Sequence, residues 1–193
     1  MKIRNIVFCV LCAFLVLAVV SSADARKKTD VTKHPGYVNF EPMDFFGAEY
    51  AKIEINLNAN MIKLVAEFIK KEDPDLYETL TGLMLVRVEV YERSREIERK
   101  FDTESSKAVK ELEDNDWERI VLVRERDEKA FVYIKPSDNY DWIQGIVVLA
   151  MEEDEAVFVN IVGDIKPESI HRLGDHFDIE ELDSIRYEVK KGN

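Results

Sequence analysis

Cysteine is nearly absent from this chain. Two occur in 193 residues, Cys9 and Cys12, and both lie near the N-terminus. A domain that begins after them carries no thiol, which excludes disulfides, thiolate nucleophiles and zinc–thiolate sites. Its stability must then come from buried apolar surface. Glycine is scarce as well, with 7 in the whole chain, so backbone loops that cradle phosphate are hard to build. Histidine is limited to His34, His171 and His176. His171 and His176 have Asp175 and Asp178 beside them, but their spacing turns them to different sides of a helix and Gly174 interrupts it. Surface histidines are the expectation there, and no metal site is assigned. The chain has no Gly-x-Ser-x-Gly, no His-Glu-x-x-His and no phosphate-binding glycine loop. It also lacks Asn-x-Ser/Thr, which suits a bacterial envelope protein better than a eukaryotic secreted one.

Carboxylates, by contrast, are abundant. With 39 Asp and Glu against 27 Lys and Arg, the net charge is −12. Such a charge opposes nucleic-acid binding and suits a soluble monomer. Acidic clusters stand at Glu152–Glu155 and at Glu111, Glu113, Asp114 and Asp116. Neither has the glycine that helps a loop wrap a hard cation, so the first reads as a charged hairpin turn and the second as a helix end. So many carboxylates supply endless pairs for a glycosidase-like hydrolase, and that abundance makes any chosen pair uninformative. No catalytic residue and no cofactor is assigned.

One long apolar run exists, from Ile6 to Val20, preceded by Lys2 and Arg4 and followed by Ser21-Ser22-Ala23-Asp24-Ala25. This is the three-part layout of a signal peptide over residues 1–25, with cleavage expected after Ala23 or Ala25. The run is shorter than the roughly 20 apolar residues of a spanning helix. Arg26, Lys27 and Lys28 follow at once and resist translocation, so retention as a short anchor is the alternative. Residues 26–36 read as a basic linker, in which Arg26, Lys27, Lys28 and Lys33 offer a membrane-surface contact.

The expected domain covers residues 37–185, with a charged tail at 186–193. It opens on an aromatic stretch containing Tyr37, Phe40, Phe45, Phe46 and Tyr50. These cover one side of a core on the bland reading and line a contact surface on the sharper one. Lys52 to Asn58 alternates as a half-buried strand. A helix follows, capped by Asn58 or Asn60, with Met61, Leu64, Val65, Phe68 and Ile69 at helical spacing. Asp73-Pro74 starts a shorter helix that ends at Gly82. Leu83 to Glu92 is a strand with Met84, Val86, Val88 and Val90 inward. The charged stretch from Glu92 to Lys100 is expected as a solvated loop, and a helix capped by Asp102 or Thr103 as running to about Asp114.

Four strand-like runs come next, at 117–126, 129–135, 142–151 and 156–162, joined by short turns that favour antiparallel neighbours. Pro167 opens a last short helix. The pattern predicts an α+β single domain, a largely antiparallel sheet with helices packed over one face. Within it Asn160 sits among apolar strand residues. A buried amide must be hydrogen-bonded, so it either pins a neighbouring loop or contacts a ligand.

His34-Pro35-Gly36-Tyr37, Leu85-Val86-Arg87-Val88, Trp117-Glu118-Arg119 and the run Val157 to Ile165 together resemble the domain-of-unknown-function family 4252 over residues 34–183. The resemblance implies an exported bacterial protein, with some members encoded beside extracytoplasmic-function sigma factors. It implies no agreed activity, cofactor or site residue. The resulting expectation is a periplasmic or cell-surface, non-enzymatic interaction domain with a protein partner in the envelope, tied to envelope sensing or sigma-factor-linked regulation. Its contact residues would be Tyr37, Phe40, Phe45, Phe46 and Asn160. The alternatives are a small-ligand or lipid-binding domain and, behind it, a carboxylate-dependent hydrolase.

Overall fold

Alternation and capping explain the first elements of the fold. A computed structural model describes residues 30–39 and 51–167. Strand β1, Ile53–Asn58, keeps Ile53, Ile55 and Leu57 half-buried while Glu54, Asn56 and Asn58 are exposed. Its last residue caps helix α1, Ala59–Ile69, because the Asn58 side chain accepts the N–H groups of Asn60 at 3.0 Å and Met61 at 3.2 Å. Helix α2, Pro74–Thr81, starts on a proline that needs no N–H partner, and the Asp73 carboxylate accepts the Leu76 N–H at 2.9 Å. These two helices pack on each other, and α1 also packs on β1 and on strand β2, Leu83–Glu92.

Helix α3, Arg95–Asp114, begins well before Asp102, inside the stretch expected as a solvated loop. The Ser94 hydroxyl caps it by accepting the Ile97 N–H at 3.2 Å. Glu96 and Glu98 lie in its positive first turn, and Glu96 pairs with Lys100 at 3.3 Å. Dense alternating charge here is therefore a helix surface, and Ile97 with Phe101 forms the start of its buried stripe. Ser105, Ala108 and Leu112 continue that stripe.

The remaining strands are β3, Glu118–Arg124; β4, Lys129–Pro136; β5, Ile143–Met151; and β6, Glu155–Ile165. Together they make a six-stranded sheet in the order β1-β2-β6-β5-β4-β3, and every neighbouring pair is antiparallel. With three helices among the described residues, this is an α+β arrangement, and residues 31–167 form one compact unit. Helix α3 carries the chain from β2 to β3 at the far edge. Its 20 residues span about 30 Å, enough to cross the roughly 19 Å between those strands obliquely.

The core under α3 joins Ile97, Phe101, Ala108 and Leu112 to Phe131 and Tyr133 of β4, Val147, Leu149 and Met151 of β5, and Ala156 and Phe158 of β6. Tyr91 of β2 packs against it. Leu85 and Glu89, expected on the outward side, are buried. Helix α1 packs on β2 and Tyr91 of β2 packs against the core under α3, so both faces of the strand meet other groups. The opposite side of the sheet holds three cross-strand rows. They are Ile53-Val90-Val157-Ala150-Ala130-Val123, Ile55-Val88-Val159-Val148-Val132-Val121 and Leu57-Val86-Ile161-Ile146-Ile134-Glu118. Every position in these rows except Glu118 is aliphatic.

At the end where α3 begins, Arg93 ties three connections together. Its guanidinium donates to the carbonyls of Asp127 at 2.9 Å and Glu152 at 2.8 Å and to the Glu98 carboxylate at 3.1 Å.

Candidate functional site

Asn160 is 1% exposed, and its Nδ2 donates to the Gly36 carbonyl at 3.3 Å and to the Ile146 carbonyl at 3.3 Å. The amide thus holds the N-terminal segment against the sheet. That segment starts with one 3-10 turn, Val31–Lys33, so the chain already packs within the stretch read from composition as a linker. Gly36 rests on β5 backbone. A Cβ there would stand 1.8 Å from the Gln144 carbonyl oxygen, and one on Gly145 would stand 2.6 Å from both the Gly36 Cα and the Trp117 ring. The Gly36 N–H donates to His34 Nδ1 at 3.2 Å, which leaves the imidazole proton on Nε2, facing Asp164 Oδ1 at 3.7 Å. Tyr37 is half-buried, and Val38 enters the core under α3. Of the expected contact residues, Asn160 therefore holds the docked segment that carries Tyr37. Phe40, Phe45 and Phe46 lie outside the described residues, as do Arg26, Lys27 and Lys28, the two C-terminal histidines and the first twenty-five positions.

A second polar group sits on the α3 side of β2. Both oxygens of the buried Glu89 carboxylate are engaged, Oε1 by Arg87 Nε at 2.8 Å and Oε2 by the Tyr91 hydroxyl at 2.8 Å. The Arg87 guanidinium stands 6.0 Å from the centre of the Phe158 ring. Burial pushes the Tyr91 phenol far above its ordinary pKa, and the hydrogen bond to Glu89 adds to this. A carboxylate saturated in this way fixes its neighbours and is poorly placed to react. Among the described residues, no group of three or more His, Asp or Glu side chains is arranged to hold a metal ion.

Apart from the single side chain of Leu122, two exposed apolar features remain among the described residues. Helix α1 buries Ile62 and Ala66, with Val65 and Ile69 half-buried beside them. It turns Met61 (49% exposed), Leu64 (40%) and Phe68 (54%) to solvent. At 100° per residue these seven side chains make one apolar arc of about 200°, roughly twice what packing on the protein requires. The sequence held this signal, since Ile62 and Ala66 extend the apolar side beyond the stripe formed by Met61, Leu64 and Phe68. Lys63, Glu67 and Lys70 occupy the rest of the helix surface. Lys70 pairs with Glu67 at 3.3 Å and stands 4.7 Å over the Tyr77 ring, whereas Lys63 and Lys71 have no partner among the described residues. The second feature is the β4–β5 turn, which exposes Tyr140 and Trp142. Sequence reading identified the turn but placed Trp142 in the strand.

The profile of the family described as Domain of unknown function (DUF4252) matches residues 49–173. No curated protein and no solved structure matches the chain.

Proposed function

This chain belongs to the DUF4252 family, and from that premise we propose that it is an exported, non-enzymatic interaction domain that docks a protein partner in the periplasm or at the cell surface. The observation that carries this is the solvent-facing stripe of α1. Met61, Leu64 and Phe68 stand at i, i+3 and i+7, the spacing with which a helix fills an apolar groove on another protein. The described residues make no use of this half of the helix, and leaving three large apolar side chains in water has no structural benefit. The apolar run from Ile6 to Val20, with Lys2 and Arg4 before it, supports export, and an envelope-sensing or sigma-factor-linked role fits a domain that works by contact.

A photo-crosslinking residue in place of Phe68, in the full chain expressed in its own host, tests the proposal. One discrete protein adduct is expected at that position and none at Leu122 on β3, which is also exposed. Absence of an adduct at position 68, or the same adducts from both positions, overturns it. With the crosslinking residue kept at position 68, Met61→Ser and Leu64→Ser should abolish the adduct while leaving stability within about 0.5 kcal/mol, because both side chains are exposed. N-terminal sequencing of the protein from the same cells tests export: a start at Asp24 or Arg26 is expected, and an intact Met1 means an anchored chain.

A second reading, a domain that binds a small apolar ligand or lipid, is favoured by the aliphatic rows on the sheet side opposite α3. Native mass spectrometry of protein from its own host should then show a co-purifying mass that mild organic solvent removes.

A further inference from the structure

The β4–β5 turn holds a bulky residue where the backbone favours glycine. Tyr140 has φ 61°, in the left-handed region that tyrosine rarely enters. The turn around it is closed by Ser137 N–H donating to the Trp142 carbonyl at 2.8 Å and Tyr140 N–H donating to the Ser137 carbonyl at 2.9 Å. The Ser137 hydroxyl oxygen accepts the Trp142 N–H at 3.0 Å. Glycine at position 140 would suit this geometry better, so tyrosine stands there against a local preference. The result is an aromatic side chain 64% exposed, with Trp142 two residues on at 38%.

The surroundings define what such a platform recognises. Glu118, Asp138 and Asp141 are exposed around it, and the Tyr140 hydroxyl donates to Glu118 Oε1 at 2.6 Å, which enriches the electron density of its ring. The lysines nearby are already engaged. Lys135 donates to the Asn115 carbonyl at 2.8 Å, and Lys166 donates to Glu78 at 2.6 Å. Lys166 also stands 5.9 Å over the Trp142 ring, so one cation already rests on this surface. Electron-rich rings rimmed by carboxylates suit a guanidinium, which stacks on an aromatic face and forks to a carboxylate at once. The net charge of −12 steers basic segments toward the protein.

We propose that the Ser137–Trp142 turn is a docking platform for an arginine-bearing segment of a protein partner, the guanidinium stacking on Tyr140 and pairing with Glu118 or Asp141. This surface shares no residue with the α1 stripe and does not depend on it.

Calorimetric titration of the full chain with a synthetic Gly/Ser nonapeptide carrying two central arginines tests the proposal. The matched peptide with citrulline, which keeps the shape and removes the charge, is the control. The arginine peptide should bind about tenfold more tightly than the citrulline one. Tyr140→Gly should weaken it several-fold while leaving the melting temperature unchanged or higher, because glycine fits the left-handed turn. Glu118→Gln should weaken it with the turn intact. Equal affinity for the two peptides, no binding of either, or undiminished binding by Tyr140→Gly overturns the proposal. So does binding of a neutral oligosaccharide at Tyr140 in place of the arginine peptide, which would make the platform a sugar site.

Discussion

Replacing Gly36 by alanine examines how the N-terminal segment is held. The added Cβ would lie 1.8 Å from the Gln144 oxygen, 2.4 Å from its carbonyl carbon and 2.8 Å from the Gly145 Cα. All three are backbone atoms of β5, a strand paired on both sides. No side chain can move to make room, so the segment must lift from the sheet. Lifting sets the upper limit of the loss. Val38 leaves the core, which costs about 1.5–3 kcal/mol, and the Asn160 amide loses one of its two acceptors, which costs about 1 kcal/mol. Backbone freedom regained by the released residues offsets part of this, leaving an expected loss of about 2 kcal/mol.

Urea unfolding followed by tryptophan emission measures that loss. Trp117 is 6% exposed and packs on Gly145, so it also reports lifting directly through a red-shifted native baseline. Asn160→Ala alone should destabilise by about 1–3 kcal/mol. Placed on the Gly36→Ala background it should add clearly less, because the Gly36 carbonyl has already gone, and the coupling should exceed about 0.5 kcal/mol. A Gly36→Ala chain within about 0.5 kcal/mol of the wild type, or full additivity of the two changes, would falsify the account of Asn160 as the clasp of this segment.

Two further changes probe the core and its polar group. Phe101→Ala removes a fully buried ring between α3 and the sheet, and should lower stability by about 3–5 kcal/mol in denaturant titration. The raised pKa of Tyr91 means that the fold favours the neutral phenol. Its stabilising contribution is therefore complete below the ordinary tyrosine pKa of about 10 and is lost as pH rises through the folded value. Stability measured above about pH 10 should fall less steeply in Tyr91→Phe than in the wild type.

Local signals in the chain predict local structure well. The alternation in β1, the Asp73 cap, an asparagine cap on α1 (Asn58, of the candidates Asn58 and Asn60) and the short turns between the later strands all act within a few residues, and each appears in the fold as expected. Helix α3 shows the limit. Its first two turns carry so much charge that composition suggests a loop, although Ile97 and Phe101 at i and i+4 already mark a buried stripe. Alternation in β2 identifies which residues share a side, but not what lies over each side. Leu85, Glu89 and Tyr91 thus read as outward until α3 is placed above them. Asn160 is the clearest long-range case. Burial could be inferred from its neighbours, but its partner Gly36 lies 124 residues away, and no local pattern connects them. The same holds for Arg93 and its partners in the β3–β4 and β5–β6 turns, which lie 34 and 59 residues away.

The two proposed contact surfaces are built from different forces, and salt separates them. The α1 stripe would bind through apolar burial, which salt does not screen. The β4–β5 turn would bind through charge near the surface, which salt does screen: the Debye length falls from about 10 Å at 0.1 M to about 3 Å at 1 M. Raising sodium chloride over that range should therefore weaken the arginine peptide about tenfold and leave the Phe68 adduct undiminished. Lys63 and Lys71 make the second half of this expectation informative, since they lie near the stripe and are unpaired among the described residues. If a partner engages them with carboxylates, the adduct will fade with salt as the peptide does. The α1 contact would then be electrostatic at its rim, and the argument from the unused apolar arc would fail.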